Sequence, residues 1–317
     1  MLAAHIQSRG RLELVESAEP SIEKDGEVIF QPSTACLCGS DLPYFDAAES
    51  YPLPVGMSLH EMVGSIVESS VERYSPGDKV LAVPLNQQGF FERYAVDACR
   101  VIPMAAGLAE DLAVLAQPLG TAIHALKKIP HLIDLDVAIV GQGPMGQIFA
   151  ACLKNMGARE IIAIDLLESR LETSPENGAT RTICSSREDP LEAVLALTGG
   201  RGADMVIECV GHSDQALDLC AELCRPDGQI LCFGVPPESI EIKPWKKLFY
   251  KNVRIYTSVN PDFERDFPLA MRWIAEGRID LSALLTHHYP LSEAQKAFET
   301  FRDRTDGALK VIIEFPA

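Results

Sequence analysis

Long apolar segments are missing from this 317-residue sequence. The longest apolar stretches are short and interrupted by acidic residues, as at 132–140, so none is long enough to span a bilayer. The first ten residues include His5 and Arg9 but no apolar core of a leader, so we expect no signal peptide. These absences exclude a protein built on transmembrane helices.

An excess of positive charge is also missing. Lys and Arg number 28 against 45 Asp and Glu, which gives a formal net charge of −17. A surface of this sign repels nucleic-acid phosphates and anionic lipid, so we expect neither partner. The content of 47% hydrophobic and 23% charged residues is ordinary for a globular chain and excludes collagen, coiled coil and wholesale disorder. The length indicates roughly two domains.

No Cys-x-x-Cys pair occurs among the nine cysteines, and the closest pairs are Cys36/Cys38 and Cys220/Cys224. An odd number of scattered cysteines is not typical of a disulfide framework. We therefore expect reduced thiols and a cytoplasmic location.

The first part of the chain, to about residue 118, is rich in short strand-like runs separated by turn residues. We interpret this region as mostly β. The strand candidates are 27–31, 64–67, 79–83 and 94–96.

From about residue 119, apolar strand-like runs alternate with helical segments. The strand candidates are 137–140, 161–164, 205–209 and 229–233, and a helix is predicted over 147–156. Such alternation indicates an α/β fold with a doubly wound parallel sheet. The alternation stops near residue 258. A helix over 267–276, a last helix opened by a capping box at Ser292 and a final strand over 310–315 follow. We expect that strand to pair with the first domain, because a lone strand needs a sheet.

The motif Gly141-Gln142-Gly143-Pro144-Met145-Gly146 follows a predicted strand and opens a predicted helix. In this context the glycines permit a tight turn and close approach of a pyrophosphate to the helix N-terminus. Asp165 ends the next strand, about 20 residues further on, where a carboxylate accepts hydrogen bonds from a ribose 2′-hydroxyl. Asp165 also repels a 2′-phosphate, so the motif favours NAD over NADP. Arg170 is placed to offset that repulsion in part.

A second group of chemically active residues consists of Cys38-Gly39-Ser40-Asp41 and His60-Glu61. A thiolate and an imidazole are good Zn²⁺ ligands, and Asp41 and Glu61 can orient them. The spacing alone is not a metal signature, since a buried thiol and a structural histidine would give the same pattern.

The sequence around these residues resembles the medium-chain dehydrogenase/reductase family, in its zinc-dependent alcohol dehydrogenase branch. Residues 38–41 look like the first-ligand motif, and 59–64 resembles the GHExxG motif with Leu59 at the first glycine. The segments 76–80 (PGDKV), 117–119 (QPL), 204–211 (DMVIECVG), 225–228 (RPDG) and 307–314 (GALKVIIE) are similar to further family motifs. The segment at 117–119 resembles the EPL element of the polyol and threonine dehydrogenase subgroup.

The resemblance implies a GroES-like β domain formed by residues 1–118 and 259–317, and a Rossmann NAD-binding domain formed by residues 119–258, with the active site in the cleft between them. Cys38 and His60 would bind a catalytic zinc, and Ser40 would pass the substrate proton into a relay. Thr121 would lie beside the nicotinamide, and Lys310 would reach the pyrophosphate. The complete set of expected cofactor contacts is Gly141, Gly143, Pro144, Met145, Gly146, Asp165, Arg170, Thr121, Cys209, Val210, Gly211, Phe233, Gly234, Val235 and Lys310.

Three departures from the family pattern affect the expected site. Gln117 stands where a third, usually acidic, zinc ligand is found, so either Gln117 or Glu61 would complete the zinc shell. Pro43 stands where a relay histidine is frequent. The lobe with four cysteines that holds a structural zinc in many members is missing, so we expect one zinc per chain.

We therefore expect an NAD-dependent zinc dehydrogenase that acts on a secondary alcohol, polyol or sugar, and the resemblance suggests a homodimer or homotetramer joined through the nucleotide domains. Two alternatives stay open at this point. One is a zinc-free reductase of activated double bonds or quinones. The other is a non-catalytic nucleotide-binding protein with a decayed site.

Overall fold

A computed structural model of the chain describes residues 1–212 and 214–316, and these residues form fifteen strands and ten α-helices. Contacts divide the chain into two compact units. Unit 1 comprises Met1–Gly120, Asp262–Gly277 and the chain from Leu285 on, and unit 2 comprises Thr121–Pro261 and Arg278–Leu284. Segment 278–284 thus belongs to unit 2, whereas the predicted bounds put it in the β domain. Within the described ranges, every helix is too short or too polar to cross a membrane.

The strands and helices are numbered in chain order. The strands are β1 (Leu2–Ser8), β2 (Arg11–Glu16), β3 (Glu27–Cys36), β4 (Glu61–Ser69), β5 (Lys79–Ala82), β6 (Tyr94–Asp97), β7 (Val101–Pro103), β8 (Asp136–Val140), β9 (Glu160–Asp165), β10 (Arg181–Cys184), β11 (Ala203–Glu208), β12 (Cys224–Cys232), β13 (Arg254–Thr257), β14 (Leu285–Pro290) and β15 (Lys310–Glu314). The helices are α1 (Leu42–Asp46), α2 (Glu110–Ala113), α3 (Ala116–Leu126), α4 (Pro144–Asn155), α5 (Glu168–Leu171), α6 (Pro190–Leu197), α7 (Asp214–Leu223), α8 (Trp245–Tyr250), α9 (Asp266–Ala275) and α10 (Ala294–Asp303).

Unit 1 is built on a mostly antiparallel sheet with the strand order β14-β15-β3-β4-β5-β7, in which β6 also pairs with β3. The strands β1 and β2 form a separate antiparallel pair. The last strand, β15, pairs antiparallel with β3, and Ile312 lies opposite Cys36. This pairing confirms that the end of the chain returns to the first domain, and it brings β15 beside the residues that precede Cys38.

The core of unit 1 lies between this sheet and α10. The ring centroid of Phe298 is 5.0 Å from that of Phe45 and 5.9 Å from that of Phe90, and all three side chains are fully buried. Aromatic side chains remove large apolar areas from water, so these rings fix α10 against the sheet and against α1, which directly follows the Cys38 turn.

Unit 2 contains a six-stranded, all-parallel sheet with the order β10-β9-β8-β11-β12-β13. This order confirms the predicted doubly wound sheet, and every residue of the central strands β8 and β11 is buried. The chain runs to one side after β8 and to the other side from β11, so the topological switch point lies between these two strands. Ligands of such sheets bind at the carboxyl ends of the strands at that point.

The predicted capping box of the last helix is wrong. The helix α10 begins at Ala294 without a side-chain cap. The Gln295 side chain instead donates to Gly10 O at 2.9 Å and accepts from Leu12 N at 2.6 Å. These tertiary partners, supplied by the distant β1–β2 turn, replace the local capping interaction that the spacing suggested.

Candidate metal centre and cofactor site

Cys38 lies just beyond the end of β3, in a short turn that leads into α1. Its N–H donates to Asp41 Oδ2 at 2.8 Å, and Asp41 N donates to Cys38 O at 3.0 Å. Asp41 is fully buried, and the Cys38 thiol is free and half-buried. The turn therefore holds the Cys38 backbone in place and leaves its side chain accessible.

His60 directly precedes β4 and follows two residues with left-handed backbone. The φ angle is 94° at Ser58 and 63° at Leu59. Asp41 Oδ1 accepts hydrogen bonds from the Ser58 hydroxyl at 2.8 Å and from Leu59 N at 2.9 Å, and it lies 3.8 Å from His60 Nδ1. One buried carboxylate thus stabilises both the turn that carries Cys38 and the turn that carries His60.

The pair of Asp41 and His60 shifts the pKa of each partner. Burial alone would raise the pKa of Asp41, but the attraction of His60 and hydrogen bonds from Cys38 and Ser58 lower it overall. Burial alone would lower the pKa of His60, but Asp41 and the Cys38 thiol raise it well above its usual value. Asp41 therefore stays ionised and can orient the imidazole.

Glu61 and Lys310 form an ion pair inside unit 1, with side-chain exposures of 0% and 1%. The Lys310 ammonium also donates to Leu37 O at 3.3 Å. Burial alone would lower the pKa of Lys310, but the thiols of Cys36 and Cys38 and the carboxylate of Glu61 raise it overall. The sequence predicted a pyrophosphate contact for Lys310. The structure instead directs its ammonium to Glu61, because a buried charge needs a counter-charge beside it.

The side chains of Cys38, His60 and Glu61 fit a metal ion. Their ligand atoms all lie within 4.8 Å of one another. In the part of the chain that the structure describes, His60 Nδ1 and Glu61 Oε1 are buried without a hydrogen-bond partner. Such atoms are costly unless a ligand satisfies them, and thiolate, imidazole and carboxylate are the donors that zinc takes in proteins.

Three other predicted site residues lie on neighbouring elements. Ser40 is half-buried in the same turn as Cys38. Gln117 is buried in the first turn of α3, and Thr121 lies one turn further along this helix. Their predicted roles at the metal and at the nicotinamide stay predictions.

The glycine-rich turn lies between β8 and α4, as the motif predicted. A Cβ atom at Gly146 would lie 2.0 Å from Gly141 O, so no larger residue fits there. At Gly143 the nearest atom would be Arg170 Nη1 at 3.8 Å, so the space beside the turn is open to a ligand. The helix α4 begins beside this space with Pro144 and Met145, and the first N–H groups of a helix have no partner within the helix.

Asp165 ends β9, the neighbour of β8 in the sheet. Its Oδ2 accepts from Gln142 N at 2.7 Å, and its Oδ1 accepts from Leu167 N at 2.9 Å. Arg170 Nη1 lies 3.8 Å from Asp165 Oδ2. The structure thus brings Asp165 and Arg170 together at the glycine-rich turn.

Two loops follow the carboxyl ends of β11 and β12 and carry the remaining predicted cofactor contacts, Cys209, Val210, Gly211, Phe233, Gly234 and Val235. Cys209 N donates to Val140 O at 2.8 Å, which links the first loop to the end of β8. Val210 and Val235 are 50% and 53% exposed. Exposed apolar side chains at the carboxyl edge of a parallel sheet are typical of a ligand-binding face.

Comparison with known proteins assigns the family. The alcohol dehydrogenase GroES-like domain matches residues 24–121, and the zinc-binding dehydrogenase domain matches residues 144–276. L-threonine 3-dehydrogenase of Bacillus licheniformis is 28% identical over 92% of this chain and 93% of its own. The structures of alcohol dehydrogenase TADH from Thermus sp. ATN1 (25% identity, TM-score 0.88, full coverage of both chains) and zinc-dependent alcohol dehydrogenase 2 from Streptococcus pneumonia (26% identity, TM-score 0.87, 100% and 99% coverage) are also similar.

The chain belongs to the zinc-dependent alcohol dehydrogenases of the medium-chain dehydrogenase/reductase family. It is an oxidoreductase that interconverts an alcohol and its carbonyl product by transferring hydride to or from a nicotinamide cofactor. Unit 1 carries the GroES-like fold and unit 2 the Rossmann fold.

In this dehydrogenase a short segment stands where the four-cysteine lobe is missing. Residues Leu85–Gln87 form a single 3₁₀ turn. Ser58 N donates to Gln87 O at 2.7 Å, and Gly89 N donates to Ser58 O at 3.1 Å. The segment therefore pairs with the strained residues before His60 and supports that turn.

Two features of the dehydrogenase site were missed by sequence reasoning. The ion pair of Glu61 with Lys310 joins residues 249 positions apart, and no local pattern marks it. Glu208 was quoted within a motif but received no role, although its buried carboxylate joins the two loops after β11 and β12. An acidic residue directly after the apolar run 205–207 of a buried strand was the available signal for Glu208.

Proposed function

We propose that this dehydrogenase holds one catalytic zinc, uses NAD rather than NADP, and oxidises a secondary alcohol, polyol or sugar. The observation that carries the proposal is the convergence of Cys38, His60 and Glu61 on one point of unit 1, together with the buried Glu61 Oε1, which has no hydrogen-bond partner among the described residues. The glycine-rich turn and Asp165 in unit 2 support the choice of cofactor.

Both versions of the proposed zinc shell contain Cys38 and His60, and either Glu61 or Gln117 completes it. The thiolate offsets one of the two charges of the metal, and the amide of Gln117 offsets none. Glu61 supplies the second negative charge, and its Oε1 has no partner among the described residues. When bound, the zinc acts as a Lewis acid on the substrate oxygen, and the oxidised nicotinamide accepts the hydride.

The chain's own residues transfer the substrate proton and hold the zinc ligands in position. The Ser40 hydroxyl, in the same turn as Cys38, accepts the proton of the substrate hydroxyl and passes it outward. Asp41 faces Nδ1 of His60 and fixes the orientation of the ring, so that the other ring nitrogen is available to the metal. Lys310 gives Glu61 a buried counter-charge by pairing with it in the core of unit 1.

The preference for NAD rests on Asp165. Its carboxylate is held at the glycine-rich turn by N–H groups of Gln142 and Leu167, where it accepts hydrogen bonds from a ribose hydroxyl and repels a 2′-phosphate. Arg170 lies close enough to weaken that repulsion without removing it.

The proposed substrate carries a secondary hydroxyl group. The curated relatives of this chain include L-threonine 3-dehydrogenases at 26–28% identity, and the 3-hydroxyl group of threonine is secondary. The dehydrogenase is further proposed to act in the cytoplasm, where its free thiols stay reduced.

We also propose that the chain forms a homodimer or homotetramer through unit 2. The strand β13 is an edge of the parallel sheet, and the nearby α8 exposes Trp245, Phe249 and Tyr250 by 57–72%. An open sheet edge flanked by exposed aromatic side chains is suited to pairing with a second copy across a twofold axis.

A panel of secondary alcohols, polyols, sugars and 3-hydroxy amino acids tests the proposal. NADH formation is followed by absorbance, and zinc content is measured on the same sample. We expect turnover with NAD⁺ and a zinc content near one per chain that Cys38→Ser abolishes. The same panel with NADP⁺ should give much lower kcat/KM. Turnover that survives complete removal of zinc, or a zinc content near two that survives loss of both Cys38 and His60, would contradict it.

A further inference from the structure

Glu208 is a buried acidic residue with no part in the chemistry described above. It ends β11 at the carboxyl edge of the parallel sheet and is only 6% exposed. Its Oε1 accepts hydrogen bonds from Val210 N and Gly211 N, both at 2.7 Å. Its Oε2 accepts from Gly234 N at 3.1 Å. A buried carboxylate is costly unless it is satisfied in this way, and its bonds to N–H groups are stronger than neutral ones.

The donors belong to two different loops. Val210 and Gly211 lie in the loop after β11, and Gly234 lies in the loop after the neighbouring β12. The main-chain oxygen of Glu208 also accepts from Phe233 N and Gly234 N, at 3.0 and 3.1 Å. Glu208 therefore holds the two loops at a fixed separation.

The two loops are closely packed where Gly234 meets Gly211. A Cβ atom at Gly234 would lie 2.2 Å from Gly211 N and 2.8 Å from Glu208 Oε2. His212 N donates to Val235 O at 2.9 Å and closes the contact on its outer side. The exposed side chains of Val210 and Val235 project from this pair of loops, so the carboxylate sets the distance between them.

The strand order assigns these loops to one half of the cofactor. Asp165 and the glycine-rich turn follow β9 and β8, where the adenosine ribose and the pyrophosphate are expected. The order β9-β8-β11-β12 then places the two loops on the far side of the pyrophosphate. A dinucleotide lying along this edge reaches them with its second, nicotinamide half.

We propose that Glu208 is a positioning residue that fixes the two loops against which the nicotinamide half of the cofactor binds. The inference rests on the proposed use of a nicotinamide dinucleotide. It assigns to Glu208 no contact with the cofactor, only control over the spacing of Val210 and Val235.

Isothermal titration calorimetry with NADH and with ADP-ribose, which lacks the nicotinamide, tests the inference. Glu208→Gln replaces one acceptor oxygen with an NH₂ group that cannot accept from the loops. We expect its affinity for NADH to fall about tenfold or more, the effect of losing one charge-assisted hydrogen bond. Its affinity for ADP-ribose should stay within about twofold of the wild type, since the turn after β8 is untouched.

Asp204→Asn is the matched control, because Asp204 is a buried carboxylate one strand-length away, near the amino end of β11. It should leave both affinities unchanged. If Glu208→Gln does not fold, Glu208→Asp keeps the charge but is too short to reach both loops, and it should show the same selective loss.

The outcomes separate the inference from the proposed function. If the wild type binds neither NADH nor ADP-ribose, the proposed function is wrong. If the wild type binds both and the Glu208 variants lose both affinities equally, or lose neither, then Glu208 does not act on the nicotinamide half and the inference is wrong.

Discussion

At the scale of single residues, Asp41 connects the two turns that carry the proposed zinc ligands Cys38 and His60. Its carboxylate accepts from Cys38 N, Ser58 Oγ and Leu59 N, and it faces His60. The sequence predicted that Asp41 orients the site. It could not show that Asp41 also stabilises left-handed residues before His60, because backbone angles are not visible in a motif.

Leu59 combines two opposing effects. Its φ of 63° costs a non-glycine residue about 1–2 kcal/mol, while its side chain is fully buried in the core of unit 1. Both Leu59→Ala and Leu59→Gly lose the packing, at a cost of about 2–5 kcal/mol. Only glycine also removes the backbone strain. We therefore expect the Gly variant to be more stable than the Ala variant by about 1 kcal/mol in urea unfolding. Equal stability, or a more stable Ala variant, would mean that the backbone at Leu59 is not strained.

In the proposed function, Asp165 sets the preference between NAD and NADP. Asp165→Ser removes both the ribose acceptor and the repulsion of a 2′-phosphate, so the ratio of NAD to NADP affinity should fall by about tenfold or more, mainly through weaker NAD binding. Asp189→Ser is the control, because Asp189 caps α6 and serine can replace it there. A wild type that prefers NADPH, or a variant with an unchanged ratio, would contradict the role of Asp165.

Gln117 tests whether α3 contributes to the metal site. Gln117→Glu adds a negative charge at the position where the family usually has one, so zinc affinity should rise by about 10-fold or more. Gln31→Glu makes the same change elsewhere in unit 1, beside Arg93, and should leave zinc affinity unchanged. Competition with a chromogenic chelator measures both. An unchanged affinity for Gln117→Glu means that Gln117 is not near the metal.

At the scale of elements, β11 carries a buried carboxylate near each end, and the two have different partners. Asp204 accepts from Asp136 N at 2.8 Å and from Arg225 Nε at 2.6 Å, whereas Glu208 accepts from loops at the ligand-binding edge. At the amino end of β11, Asp204 forms an ion pair with Arg225. At the carboxyl end, Glu208 holds the two loops in position. The apolar run predicted a buried strand here, but it did not predict the hydrogen-bond partners of Asp204 and Glu208.

Asp204 makes the stability of unit 2 sensitive to acid. Burial alone would raise the pKa of Asp204, but the hydrogen bonds from Asp136 N and Arg225 lower it overall below its usual value. Its contribution is therefore complete above the unfolded pKa and is lost as the pH falls through the lower folded pKa. Asp204→Asn should be less stable than the wild type by about 1–3 kcal/mol at neutral pH.

The difference between Asp204→Asn and the wild type should shrink as the pH falls from about 5 to about 3. Urea unfolding at a series of pH values measures it, and the exposed Glu238→Gln in the same unit is the control. A difference that does not change with pH would show that Asp204 contributes nothing through its charge.

The elements that the sequence predicted best are those with a strong period or a buried apolar run, such as β8, β9, β11 and α4. Short or half-exposed elements, such as β1, β2 and β10, escaped prediction because their residues are set by tertiary pairing. The start of α10 was misplaced for a similar reason, since the Gln295 side chain binds Gly10 and Leu12 rather than the N-terminus of the helix.

At the scale of the whole molecule, the site is assembled from segments far apart in the sequence. Cys38 follows β3, Glu61 begins β4, and Lys310 begins β15, which pairs with β3. All three residues lie in family motifs, and the sheet topology shows that Lys310 meets Glu61. Prediction failed for Lys310 because its partner depends on the register of the last strand, which spacing along the chain does not encode.

The central claim is a single zinc held by Cys38, His60 and an oxygen ligand. X-ray absorption at the zinc K-edge of the purified dehydrogenase counts the sulfur atoms bound to the metal. We predict one sulfur per zinc, at about 2.3 Å, with nitrogen and oxygen atoms completing the shell. This sulfur should disappear in Cys38→Ser. A shell of several sulfur atoms, or a spectrum that Cys38→Ser leaves unchanged, would contradict the account.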